Sequence, residues 1–173
     1  MTTAIQVAGQ PNPIPQKFYY TGKNIHATSG SRTANTTDLQ VNDVLALDPF
    51  GHDKGRGYDL ANPTASYLSQ PLYVVTSIGS DPSTGASAVR GGTIEAVPLS
   101  NAVCSAIQCN VNATATAGTT LLGPTDMASA STNQRYLVHL SSIAAAENVM
   151  QLKAKAMETS TSGTAAQRWV CPL

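Results

Sequence analysis

Glycine, proline, serine and threonine cut this chain into short apolar segments, and that punctuation leaves little room for long helices. Residues 28–37 (TSGSRTANTT), 79–85 (GSDPSTG), 91–92 (GG) and 160–163 (STSG) are turn clusters by composition. Between them lie runs rich in β-branched and aromatic residues, which suit a pleated, half-buried surface. Residues 72–78 (LYVVTSI) and 167–171 (QRWVC) read as strands on this basis, as does 93–99 (TIEAVPL). In 102–111 the odd positions Val103, Ile107, Cys109 and Val111 share one face, with Ser105 as the exception, so the period of two predicts a strand buried on one side. Residues 38–47 place Leu39 and Val41 before Asn42-Asp43, then Leu45 and Leu47, a pattern of strand, tight turn and strand. Residues 151–159 (QLKAKAMET) alternate Leu152, Ala154 and Ala156 with Lys153, Lys155 and Met157; strand is the preferred reading, although Ala and Lys also accept helix. One short helix is expected over 141–150, where serines offer an N-cap ahead of a run of helix formers. The expected fold class is mainly β, a sandwich or barrel-like (tulip-like) module of short strands.

At 173 residues the chain fits one domain, or one domain plus a tail. Pro11, Pro13 and Pro15 alternate with other residues near the N-terminus. Each proline fixes φ and biases its predecessor towards extended conformations. Residues 1–24 are therefore expected to form an extended arm that runs into a strand-like stretch, Lys17-Phe18-Tyr19-Tyr20, and residues 25–173 a single β-rich domain. Residues 49–59 (PFGHDKGRGYD) are punctuated by Gly51, Gly55 and Gly57 and hold much of the chain's charge, which reads as a surface loop. A weak internal echo links 39–49 with 115–124: each places a turn ahead of an apolar strand that ends in proline, as two equivalent hairpins would.

Ten Lys and Arg balance ten Asp and Glu, and charged residues make up 12% of the chain. Such a balance carries no electrostatic footprint for phosphates or anionic lipid, so neither nucleic acid nor membrane is an expected partner. With 24 Ala, 20 Thr and 16 Ser, the surface is expected to be neutral and easily desolvated against protein. The same composition is common in secreted bacterial proteins, but MTTAIQVAGQPNPIP lacks a charged segment followed by an apolar core, so export by a signal peptide is not expected.

The sequence contains no G-x-S-x-G elbow, no G-x-x-x-x-G-K-[ST] loop and no H-E-x-x-H pair. His52, Asp53, Lys54, Arg56 and Asp59 sit among glycines, but their spacing does not supply the alternating oxygen ligands and distal bidentate Glu of a calcium loop. His26, His52 and His139 fall in separate segments, with no C-x-x-C or H-x-x-x-H spacing to gather metal ligands. On one strand, Cys104 and Cys109 would point to opposite faces ~16 Å apart at ~3.3 Å per residue, beyond disulfide reach, which leaves structural thiols. No catalytic residue, metal or cofactor is expected. The tyrosines and Trp169 could form a carbohydrate-binding surface, though filling the core or a subunit contact is the simpler role for them.

The succession VNDVLAL (41–47), GGTIEAVPL (91–99), ATAGTTLL (115–122) and KAMETSTSGTAAQRWV (155–170) resembles the capsid decoration, or cement, family of tailed phages. The likeness is a rhythm of turns and strands over residues 25–173, without an invariant chemical motif. It implies a virion structural protein, assembled in the host cytoplasm, that sits on the capsid surface as a dimer or trimer and bridges neighbouring subunits of the major capsid protein. Head-fibre base, minor tail component and carbohydrate-binding adhesin are the alternative roles. Two elements are the candidate subunit contacts: Pro11, Pro13, Pro15, Phe18, Tyr19 and Tyr20 in the arm, and Phe50, His52, Arg56 and Tyr58 in the 50–59 loop.

Overall fold

The computed structural model describes residues 14–24, 39–53, 57–62, 71–79, 92–124, 135–140 and 152–173. The described residues form ten strands: β1 (Gln16–Asn24), β2 (Val44–Asp53), β3 (Gly57–Asn62), β4 (Leu72–Ile78), β5 (Gly92–Pro98), β6 (Ile107–Asn112), β7 (Leu121–Pro124), β8 (Leu137–His139), β9 (Ala154–Ala156) and β10 (Ala166–Pro172). They close into two barrels, β1-β3-β2-β4-β5 and β10-β6-β8-β7-β9. The mainly β, barrel-like module read from the sequence is the observed fold, built twice. The helix expected over 141–150 lies outside the described residues.

The two barrels share one topology. Adding five to each strand number of the first barrel reproduces the neighbours of the second, including the single parallel pair, β1 with β3 and β6 with β8. The register agrees residue by residue. Tyr20 opposite Leu60 corresponds to Val111 opposite Leu137, and Leu45 opposite Tyr73 to Leu122 opposite Ala154. Tyr73 opposite Pro98 corresponds to Ala154 opposite Pro172. Past the last strand of each barrel, Leu99 N–H donates to Leu72 O at 2.8 Å and Leu173 N–H donates to Lys153 O at 3.0 Å. The chain is thus a tandem structural repeat whose halves share little sequence identity; Pro98-Leu99 and Pro172-Leu173 are matched pairs.

The echo between 39–49 and 115–124 marks the same position of the two barrels. Asn42 N–H donates to Val75 O while Val75 N–H donates to Asp43 O; Gly118 N–H donates to Ala156 O while Ala156 N–H donates to Thr120 O. The side chain of the residue before each strand caps its own turn. Asp43 Oδ2 accepts from Gln40 N–H at 2.8 Å, and Thr120 Oγ1 accepts from Thr116 N–H at 2.8 Å. The prolines that suggested the echo are not counterparts, because the register sets Pro124 against Leu47.

Each turn passes through the left-handed region, at Asn42 (φ 73°) and Gly118 (φ 75°). Asn tolerates this conformation better than other residues with a side chain, and Gly adopts it without penalty. Asn42 also buries its Nδ2 without a hydrogen-bond partner. We therefore expect Gly118→Ala to cost about 1 kcal/mol and Asn42→Gly to cost nothing or to stabilise slightly, measured by urea denaturation.

Several strand boundaries differ from the sequence reading. Leu39 and Gln40 are not a strand but the lead-in to the Asn42 turn, where Leu39 is buried. Residues 49–53 and 57–59 are not loop: they extend β2 and β3 into a hairpin, with His52 opposite Tyr58. A register shift between Leu47 and His52 gives Pro49 and Gly51 the irregular place in a ladder where such residues are tolerated. The arm does not extend to residue 24, because Gln16–Asn24 is β1, held between β3 and β5. Residues 102–106 precede β6 and include a turn, so Cys104 and Cys109 do not share one strand and the ~16 Å separation does not apply. Residues 154–156 are strand as preferred, with Ala154 and Ala156 buried and Lys155 facing outward.

Period-two burial builds two cores. Tyr20, Leu45, Leu60, Val75, Ile94 and Ala96 point into the first barrel, with Leu39 packed among them. The outward residues of the same strands, Val44, Ala46, Leu72, Val74 and Val97, are buried as well, together with Leu99. They belong to one cluster with Ile107, Cys109, Val111, Leu122, Leu137 and Val170 of the second barrel. The outer wall of the first barrel and the interior of the second are therefore one continuous apolar mass.

Candidate functional site

The densest group of buried polar residues joins the two barrels. Its centre is Asp43, 5% exposed, on the turn that launches β2. Three donors reach its carboxylate: Gln40 N–H on one side, Asn110 Nδ2 on Oδ1 at 2.7 Å, and Arg135 Nε on Oδ2 at 2.7 Å. Asn110 lies on β6 and Arg135 just before β8, so a first-barrel carboxylate is held by the parallel pair of the second barrel. Backbone bonds run beside them. Asn110 N–H donates to Asn42 O at 2.8 Å, and Val44 N–H donates to Arg135 O at 2.9 Å. Arg135 Nη1 also donates to the Tyr20 hydroxyl at 3.4 Å, which carries the network into the first barrel's interior.

The electrostatics are those of a buried clasp. Burial pushes the Asp43 carboxyl above its usual range, while the Arg135 charge and the donated hydrogen bonds pull it back only in part. Burial also pushes the Tyr20 hydroxyl up to about 12, against the pull of Arg135, so this phenol stays protonated and neutral at physiological pH. All these polar groups are used to fix one barrel on the other.

The candidate contact residues fall into separate places. Pro15 is exposed, whereas Pro11, Pro13 and Arg56 lie outside the described residues. Tyr20 is fully buried and is not a surface contact, which corrects the reading of that residue; its ring fills the first barrel because β1 is a barrel strand. Phe18 is partly buried and meets Tyr73 edge-on at 4.8 Å, so it too packs mainly within its own barrel. Tyr19 is partly buried on the opposite, outward side of β1. Phe50 and His52 lie on β2 and Tyr58 on β3, with His52 opposite Tyr58.

Among the described residues, Tyr20 and Tyr73 face the first interior while Trp169 lies on β10 of the other barrel, so these three do not make one aromatic platform. Cys104, Cys109 and Cys171 are free thiols. Burial pushes the Cys109 thiol far above the ordinary range and the Cys104 thiol up as well. Among the described residues no three His, Cys, Asp or Glu side chains gather as metal ligands would. Asn110 and Arg135 are the clasp residues that the sequence reading missed, since they lie 67 and 92 residues from the carboxylate they bind.

Comparison with known proteins returned no matching family model, no matching curated protein and no matching solved structure.

Proposed function

We propose that this chain is a non-enzymatic virion protein that decorates a phage capsid and cements neighbouring major-capsid subunits, with the capsid surface as its location. The observation that supports this most is the use made of its buried polar groups. Asp43, Asn110, Arg135 and Tyr20 bond to one another across the barrel junction. A bridging protein gains from such a junction, because two rigidly joined barrels can transmit load between the subunits they touch. The low charge content favours a surface that loses little on contact with protein. The resemblance of the turn and strand rhythm to phage cement proteins points the same way.

The test is made on purified heads. Heads lacking this protein are expected to release their DNA at a lower temperature than intact heads, and added protein is expected to bind them saturably and restore the loss. Equal heat resistance of depleted and intact heads would rule out cementing. Saturable binding without any gain in resistance would leave decoration alone.

A further inference from the structure

We propose that the outer wall of the second barrel, formed by β7, β9 and β10, is the face that docks on a partner protein, and that it takes an acidic segment carrying apolar side chains. This deepens the reading above and rests on it only for which protein supplies that segment; the chemistry of the wall can hold where capsid binding fails.

Register lays the wall out directly. Cys171, Lys155 and Leu121 stand side by side across β10, β9 and β7, on the face away from the buried Ala156, Val170 and Leu122. The next row holds Leu173 and Lys153, where Leu173 N–H donates to Lys153 O at 3.0 Å. On the other side lie Trp169 and Met157, where Met157 N–H donates to Trp169 O at 3.0 Å. Met157 and Leu173 are 45% and 46% exposed, and the other side chains of the wall are partly exposed. Aromatic residues and Met are enriched where proteins meet. The repeat shows what a wall in this place does when it is covered. In the first barrel the positions matching Leu121, Lys155 and Cys171 are Val44, Val74 and Val97, all buried in the cluster continuous with the second barrel. The fold thus already uses this wall once to pack against protein.

The charges select the occupant. Among the described residues neither Lys153 nor Lys155 forms an ion pair. Glu158, the residue after Met157, accepts from the Trp169 backbone N–H at 3.3 Å instead. Burial pushes the Lys153 ammonium down, as it does for a charge drawn out of water without a carboxylate beside it. The wall therefore presents two uncompensated positive charges among apolar side chains, and a carboxylate brought to them is attracted by both. Two copies meeting wall to wall would set these lysines against one another, which disfavours a second copy on this face. Nucleic acid and anionic lipid take larger basic clusters than a pair of lysines.

Trp169 is the only tryptophan of the chain, so tryptophan fluorescence reports on this wall alone. The full chain is titrated with a soluble peptide rich in Leu and Glu, and with the same peptide carrying Lys in place of every Glu. The acidic peptide is expected to change the Trp169 emission saturably, and the basic one to leave it unchanged. Met157→Glu, and separately Lys153→Gln combined with Lys155→Gln, are expected to weaken binding of the acidic peptide roughly tenfold or more. No response to the acidic peptide, an equal response to both peptides, or variants that bind like the wild type would each overturn the proposal. So would an emission change on concentrating the protein alone, which would give the wall to a second copy. Depleted heads then identify the partner, and both variants are expected to bind them roughly tenfold more weakly than the wild type. Heads that bind all three chains alike would overturn docking through this wall. Heads that bind none of them, with the peptide response intact, would reject the capsid reading and leave the acidic docking face standing.

Discussion

Replacing Asp43 by Ala is expected to destabilise the folded chain by about 3–5 kcal/mol, because removing one partner leaves the Arg135 guanidinium buried without its carboxylate. Both side chains are almost fully buried, at 5% and 7% exposure, so solvent does little to screen the pair. Two further donors, Gln40 N–H and Asn110 Nδ2, would lose their acceptor with it. A loss of this size is a large part of the ~5–15 kcal/mol that holds a typical domain together. Arg135→Met alone should cost a similar amount by stranding the carboxylate. The double variant should cost clearly less than the sum, since a buried pair replaced by apolar groups is often neutral. Urea denaturation of the four chains checks this. Additive losses would show that the two residues act separately and that the clasp is not a unit.

The second large effect concerns Leu60 and Leu137, fully buried counterparts on β3 and β8. Truncation of either to Ala is expected to cost about 2–5 kcal/mol through lost burial and the cavity left behind. The shape of the transition distinguishes two views of the molecule. Leu60 belongs to the first barrel's own core, while Leu137 belongs to the cluster that includes that barrel's outer wall. If that cluster couples the barrels, calorimetry will show one transition that moves as a whole with either substitution. Separate melting of one half after Leu137→Ala would mean that the apolar contact across the junction is too weak to couple them.

Residues 107–111 were legible in the sequence because burial on one face imposes a period of two, which β6 carries in its own side chains. Residues 72–78 and 93–98 were legible from their β-branched and aromatic content, since both faces of β4 and β5 are buried and their burial does not alternate. The β2–β3 hairpin was not legible, because Pro49 and Gly51 signal turns to any local reading while the register shift that accommodates them exists only once the strands pair. Tyr20 looked like a contact residue because an aromatic near prolines reads the same whether it meets a partner or its own core. The Asn42-Asp43 turn was recognised, yet its role was not, since the residues that give it meaning, Asn110 and Arg135, are distant in sequence. The echo at 39–49 and 115–124 was a true trace of the repeat. Its full extent emerged only from strand order and register, which constrain backbone geometry far more tightly than they constrain side-chain identity.

Closure of both sheets has a further consequence for how copies of this chain meet one another. An open sheet presents a row of unpaired N–H and C=O groups along its edge, and these recruit any extended chain almost regardless of its sequence. Here β5 returns to β1 and β10 to β6, so among the described strands each has a neighbour on both sides. Any association is thereby left to side chains, whose fit can be selected position by position. Crowding such molecules side by side does not invite the cross-strand templating that leads to fibres.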